Sequence, residues 1–147
     1  MKAKGYIDPN LDELPALFDA IARELASDQT RLSLWLVEFF DLSPLNAQPI
    51  GAQSPFGDSN SELAGDGFLV PLHPTNLDAC IDVLADRADY EILHLEIEVD
   101  GSVQFAAYDH FCYAPFCDRI PLALLEDLKA REVIWSYELF ESELRNE

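Results

Sequence analysis

Between positions 32 and 118 the chain carries a single lysine or arginine, Arg87. Its 147 residues hold 9 Lys and Arg against 28 Asp and Glu, a formal net charge of −19. A chain so poor in cations repels nucleic-acid phosphates and anionic lipid headgroups, so direct binding to nucleic acid or to a membrane surface is not expected. Cysteine is scarce and odd in number, three in all, which makes no disulfide framework. No apolar run approaches the roughly 20 residues of a membrane span. The basic start, MKAKGYIDPNLDEL, is not followed by the apolar stretch of a secretory signal, so the cytoplasm is the expected compartment. Also missing are the ligand pattern of an EF-hand, a glycine-rich phosphate loop and a dinucleotide fingerprint, and no cofactor is expected.

Against these absences stands an ordinary apolar content, 49% hydrophobic and 11% aromatic. That is enough to bury a core without disulfides or a structural metal, and the length is that of one domain, 1–147. The spacing of Leu14, Leu17, Phe18, Ile21 and Leu25 predicts a helix over 11–26, with Asn10 or Asp12 as cap and Pro15 in its first turn. Residues 31–40, RLSLWLVEFF, fit a helix through Leu32, Trp35, Leu36, Phe39 and Phe40 or a strand buried on both faces, and the short aromatic run favours the strand. Residues 43–66 carry three prolines and three glycines without periodicity and read as one long loop. A short strand follows at 67–72. A helix is expected over 75–88, opened by a Thr75–Asp78 capping box.

Residues 90–110 alternate as a β-hairpin. A three-residue loop, Val99-Asp100-Gly101, would set Ile97 opposite Val103, Leu95 opposite Phe105 and Leu93 opposite Ala107, giving one wholly apolar face. The other face would then show His94, Glu96, Glu98, Gln104 and Tyr108 to solvent. A loop, a helix at 121–131, a strand at 133–140 and a solvated tail at 141–147 complete the chain. The expected fold is α+β: an antiparallel sheet with a central hairpin and two to three helices on one face.

The acid is the feature that points to a function. Asp78, Asp82 and Asp86 stand four residues apart on one side of the 75–88 helix. Like charges at that spacing destabilise a helix by about 0.2–0.5 kcal/mol per pair. Successive carboxylates about 6 Å apart along the axis imitate the charge spacing of a nucleic-acid backbone. Together with Glu96 and Glu98 they predict a surface that binds a basic protein, with aromatic anchors at Tyr108, Phe56 or Trp135. Small acidic proteins of this size include immunity proteins and antitoxins that block basic nuclease toxins, and DNA mimics. The parallel is one of size and charge, carried by no motif.

The competing chemistry lies in Asp109–Asp118, DHFCYAPFCD. Cys112 and Cys117 have the separation of a zinc-ligand pair and His110 could be a third ligand, with His73, His94 or Cys80 needed as a fourth. Cys112 with His110 and Asp109 also has the residue types of a thiol nucleophile, base and orienter. The preferred reading makes both cysteines small buried hydrophobes without a metal, and leaves a Cys/His enzyme, a metal-binding protein or a regulatory scaffold subunit as the alternatives.

Overall fold

The computed structural model describes residues 1–59 and 61–140. Among these residues eight strands form one antiparallel sheet: β1 Gly5–Pro9, β2 Thr30–Leu36, β3 Gln48–Ile50, β4 Asp66–Pro71, β5 Ile92–Val99, β6 Ser102–Ala107, β7 Ala114–Phe116 and β8 Ile134–Leu139. Their order across the sheet is β3-β4-β2-β5-β6-β7-β1-β8, so the β5–β6 hairpin lies at its centre. Three helices, α1 Leu14–Leu25, α2 Leu77–Leu84 and α3 Leu122–Ala130, bury their apolar stripes against one side. Leu17, Phe18 and Ile21 of α1, Cys80, Ile81 and Leu84 of α2, and Leu125 and Leu128 of α3 join Leu32, Leu34, Leu95, Ile97 and Phe105 of the sheet in one core. This is the expected α+β architecture. Among the described residues no helix is long and apolar enough to cross a membrane.

The second side of the sheet is covered over its centre by the segment 51–63. Trp35, Phe56, Val103 and Ala106 are buried there, outside the main core cluster. The indole of Trp35 donates to the Gly51 carbonyl at 3.2 Å. Its cross-strand partner is Gly67, where an added Cβ would lie 2.8 Å from the indole nitrogen, so only glycine lets the ring lie across β4. The described residues of the 43–66 segment thus form a cover: a 3-10 turn at Ser43–Leu45, strand β3, and a bridge between Gln53 and Glu62.

Three local expectations are corrected. The hairpin closes through a two-residue turn, Asp100-Gly101, with φ of 50° and 87°, the left-handed pair that matches the twist of the strands. Ile97 pairs with Phe105 and Glu98 with Val103, so Gln104 is the extra residue of a bulge. The bulge keeps Ile97 and Phe105 on the core side despite the shorter turn, and moves Val103 to the covered second side. At the start of α2, Thr75 does not cap. Asn76 is the N-cap, and its amide spends its bonds outside the helix, accepting from His73 N at 2.7 Å and donating to Pro71 O at 2.7 Å. Strand β7 forms within a stretch expected to be loop. The expected solvated tail, 141–147, lies outside the described residues.

Candidate acidic interaction surface

Helix α2 turns Cys80, Ile81 and Leu84 inward, which leaves Asp78 and Asp82 facing out. The chain then tightens into a 3-10 turn at Ala85–Arg87 that carries Asp86, also exposed. The Asp row therefore exists, but its last member sits one element further on.

Packing of α1 against this turn leaves a groove of about 840 Å³. Its apolar lining comes from Ala16, Ala20, Ile81, Ala85 and Leu124. Asp19, Glu24, Asp82 and Asp86 supply its carboxylates. A second hollow of about 490 Å³, beside Phe40 and Asp41, is lined by the same Asp82 and Asp86. These two acids thus form a ridge between two depressions.

The cations around the ridge are already paired. Arg23 binds Asp19 at 2.7 Å and reaches Asp78 at 3.5 Å, and the bond to Asp19 leads the causes that raise its pKa. Arg87 binds Glu91 at 2.9 Å and lies over the Phe40 ring at 5.0 Å. Arg131, in the larger groove, binds Asp127 at 3.1 Å. Asp41 accepts the Ser43 N–H at 2.9 Å, which lowers its pKa. Asp82 and Asp86 form no ion pair among the described residues. Folding thus brings Asp78 a distant cation, while the two ridge acids keep none.

Glu96 and Glu98 lie elsewhere, under the 51–63 cover. Glu96 is 0% exposed. It accepts from Ser54 Oγ at 2.5 Å, Ser59 Oγ at 2.7 Å and Tyr108 Oη at 2.6 Å. A buried carboxylate survives only if its lone pairs are satisfied, and three hydroxyls do this. Glu98 accepts Arg31 Nη2 at 2.7 Å and Nε at 3.1 Å on one oxygen, and the same guanidinium covers Phe56 at 5.3 Å. Phe56 is 2% exposed. Glu96, Glu98 and Phe56 therefore hold the cover to the sheet: the expected place of Glu96 and Glu98 on a solvent face is corrected, and Phe56, also expected to anchor a partner, pins the loop. Tyr108 is half-buried; burial, then the bond to Glu96, raises its pKa, so its phenol stays protonated as the donor.

The Asp109–Asp118 stretch is built around backbone strain. Asp109, His110 and Phe111 have φ of 53°, 56° and 68°, a left-handed run that costs non-glycine residues about 1–2 kcal/mol each. Anchors offset this: Phe111 is buried, His110 N–H donates to Leu93 O at 2.9 Å, and Asp109 N–H donates to His94 Nδ1 at 3.1 Å. His94 is buried, which lowers its pKa. His110 stacks on Tyr90 with centroids 6.4 Å apart. Cys117 is buried and its pKa is raised by burial, but Cys112 is exposed, contrary to the expectation that both are buried. The turn at 109–112 points its thiol outward while Phe111 takes the core position. Among the described residues no group of three or more His, Cys, Asp or Glu is placed to hold a metal ion.

Comparison of the chain with known protein families, with curated proteins and with solved structures finds no match. β2 is buried on both faces, and Ser33 and Trp35 on its covered side are cross-strand partners of Glu96 and His94.

Proposed function

We propose that this chain is an acidic binding protein that engages a basic protein through the Asp82–Asp86 ridge and the grooves beside it. The observation that carries the reading is the pairing pattern: Arg23, Arg87 and Arg131 around the ridge are each bound to another acid, while Asp82 and Asp86 are left open to solvent. A basic partner would supply the missing cations, and the net charge of −19 would speed its approach at low salt. The apolar lining of the larger groove would take an uncharged anchor at the centre of such a contact. Inhibition of a basic nuclease toxin, or occupation of a nucleic-acid-binding site by mimicry, are the forms of this function that the charge favours.

The test is an affinity column carrying the wild-type chain beside one carrying Asp82→Lys with Asp86→Lys. Both receive extract from the native cell at low salt and are eluted with a salt gradient. A basic protein held by the first and released much earlier from the second is the expected result. Equal retention on both columns would place the contact away from the ridge. No basic protein on either would refute the reading.

A further inference from the structure

The half of the second sheet face beyond the 51–63 cover carries a row of aromatic rings. Burial alternates along β1, with Gly5, Ile7 and Pro9 inward and Tyr6 and Asp8 outward, away from the helices. Tyr6 lies 6.3 Å from Tyr113 and 6.1 Å from Phe140, and Tyr113 stacks on Tyr108 at 6.4 Å, all centroid to centroid. Tyr108 and Tyr113 are joined by an antiparallel bridge, and Tyr6 pairs with Pro115 and Glu138, so the row crosses from β6 to the end of β8. Tyr6 is 37% exposed and Tyr113 45%.

Charge accompanies the rings. Glu138 is exposed opposite Tyr6, Asp8 is exposed two residues along β1, and Asp109 is exposed beside Tyr108. Lys4, two residues before Tyr6, exchanges backbone hydrogen bonds with Phe116 and Phe140 and brings a cation beside the same strand. Ring faces and carboxylates together form the environment that attracts guanidinium and ammonium groups. The chain already uses that contact twice, with Arg31 over Phe56 at 5.3 Å and Arg87 over Phe40 at 5.0 Å. The spacing adds a further constraint. Alternate side chains of an extended chain are about 6.6–6.8 Å apart, close to the 6.1–6.4 Å between successive rings.

We infer that this row is a docking strip for an extended protein segment with arginine or lysine at alternate positions. The segment lies across the strands and sets its cations over Tyr6, Tyr113 and Phe140, between Asp8 and Glu138. The inference rests on the reading that the partner is basic, but it assigns a second contact on the opposite side of the sheet from the ridge.

Two capped peptides of equal composition test it, one alternating arginine and threonine, the other with its arginines in one block and its threonines in another. Each is titrated at low salt into the isotopically labelled chain while backbone amide resonances are followed. The alternating peptide is expected to shift the amides of Tyr6, Tyr113 and Glu138 and to bind roughly fivefold more tightly than its isomer. Tyr6→Leu with Tyr113→Leu, which keeps apolar volume but removes the rings, should weaken it by about five- to tenfold, while Asp82→Lys with Asp86→Lys leaves its contact with the strip in place. Equal affinity of the two isomers, or shifts confined to Asp82 and Asp86, would overturn the strip and leave the ridge reading standing. Failure of both peptides to perturb either surface would count against both.

Discussion

Two pairs of acids in this chain share a chemistry and little else. Glu96 and Glu98 are shut between the sheet and the 51–63 cover, each held by donors from distant parts of the chain. Asp82 and Asp86 stand open on the helical layer with no ion pair among the described residues. The first pair is part of how the chain folds, and the second is free to act on something else. A net charge adds the two kinds together, although only the solvent-facing kind can draw in a partner strongly.

Removing a buried acid should break the comparison most sharply. Glu96→Ala leaves three hydroxyls without their acceptor and is expected to cost about 3–5 kcal/mol, read as a lower urea midpoint. Glu96→Gln, which keeps one acceptor oxygen, should cost about 1–2 kcal/mol. If Glu96→Ala unfolds at the wild-type urea concentration, the cover does not depend on this carboxylate. Arg31→Ala strands the Glu98 carboxylate and uncovers Phe56. Because the arginine is itself half in solvent, the expected loss is smaller, about 1–3 kcal/mol. Adding Glu98→Gln should restore part of it, and strict additivity in that double-mutant cycle would contradict the pairing.

The ridge should behave in the opposite way. Asp82→Lys with Asp86→Lys is expected to change stability by no more than about 0.5 kcal/mol, since both positions are exposed and away from packed groups. It should nonetheless slow association with a basic partner and flatten its salt dependence. A large drop in thermal midpoint would mean that the ridge, too, is structural.

The smallest effect is a pH dependence from His94. Burial holds its folded pKa below the ordinary histidine value of 6.5, so the unfolded chain binds a proton more readily. The stabilising contribution is complete above about pH 6.5 and declines as pH falls from there through the folded value. His94→Gln, which retains an acceptor for the Asp109 N–H, should flatten the urea midpoint across that window. An unchanged slope would show that another group titrates there.

What could be read from sequence was whatever depends on neighbours along the chain. The periodicity of Leu14 to Leu25 and the alternation of 92–99 located α1 and β5 because helix and strand set which residues share a side. The two outward aspartates of α2 were legible for the same reason. The burial of Glu96 was not, since His94, Glu96 and Glu98 alternate with apolar residues as a solvent face does. Only Ser54 and Ser59, about 40 positions earlier in a segment without periodicity, make that face an interior. The hairpin register failed on Gln104, because a bulge is decided by the fit between sheet and turn and leaves no mark in the alternation. Asp78 found Arg23 through the packing of α1 on α2, a contact that counting cations along the chain does not detect.

The place of β1 in the sheet has a consequence for the order in which the molecule can be made. Its two neighbours are β7 and β8, with Gly5 opposite Phe116 on one side and Leu139 on the other. On a ribosome adding about 5–20 residues per second, this strand waits roughly 6–25 s before both partners exist. During that interval Ile7 lacks its place between β7 and β8, while the central strands β2, β5 and β6 that share a core with α1 are made before β8. The sheet therefore closes late, by drawing its earliest strand into a slot between its two latest ones, and the loop that must be closed spans more than a hundred residues.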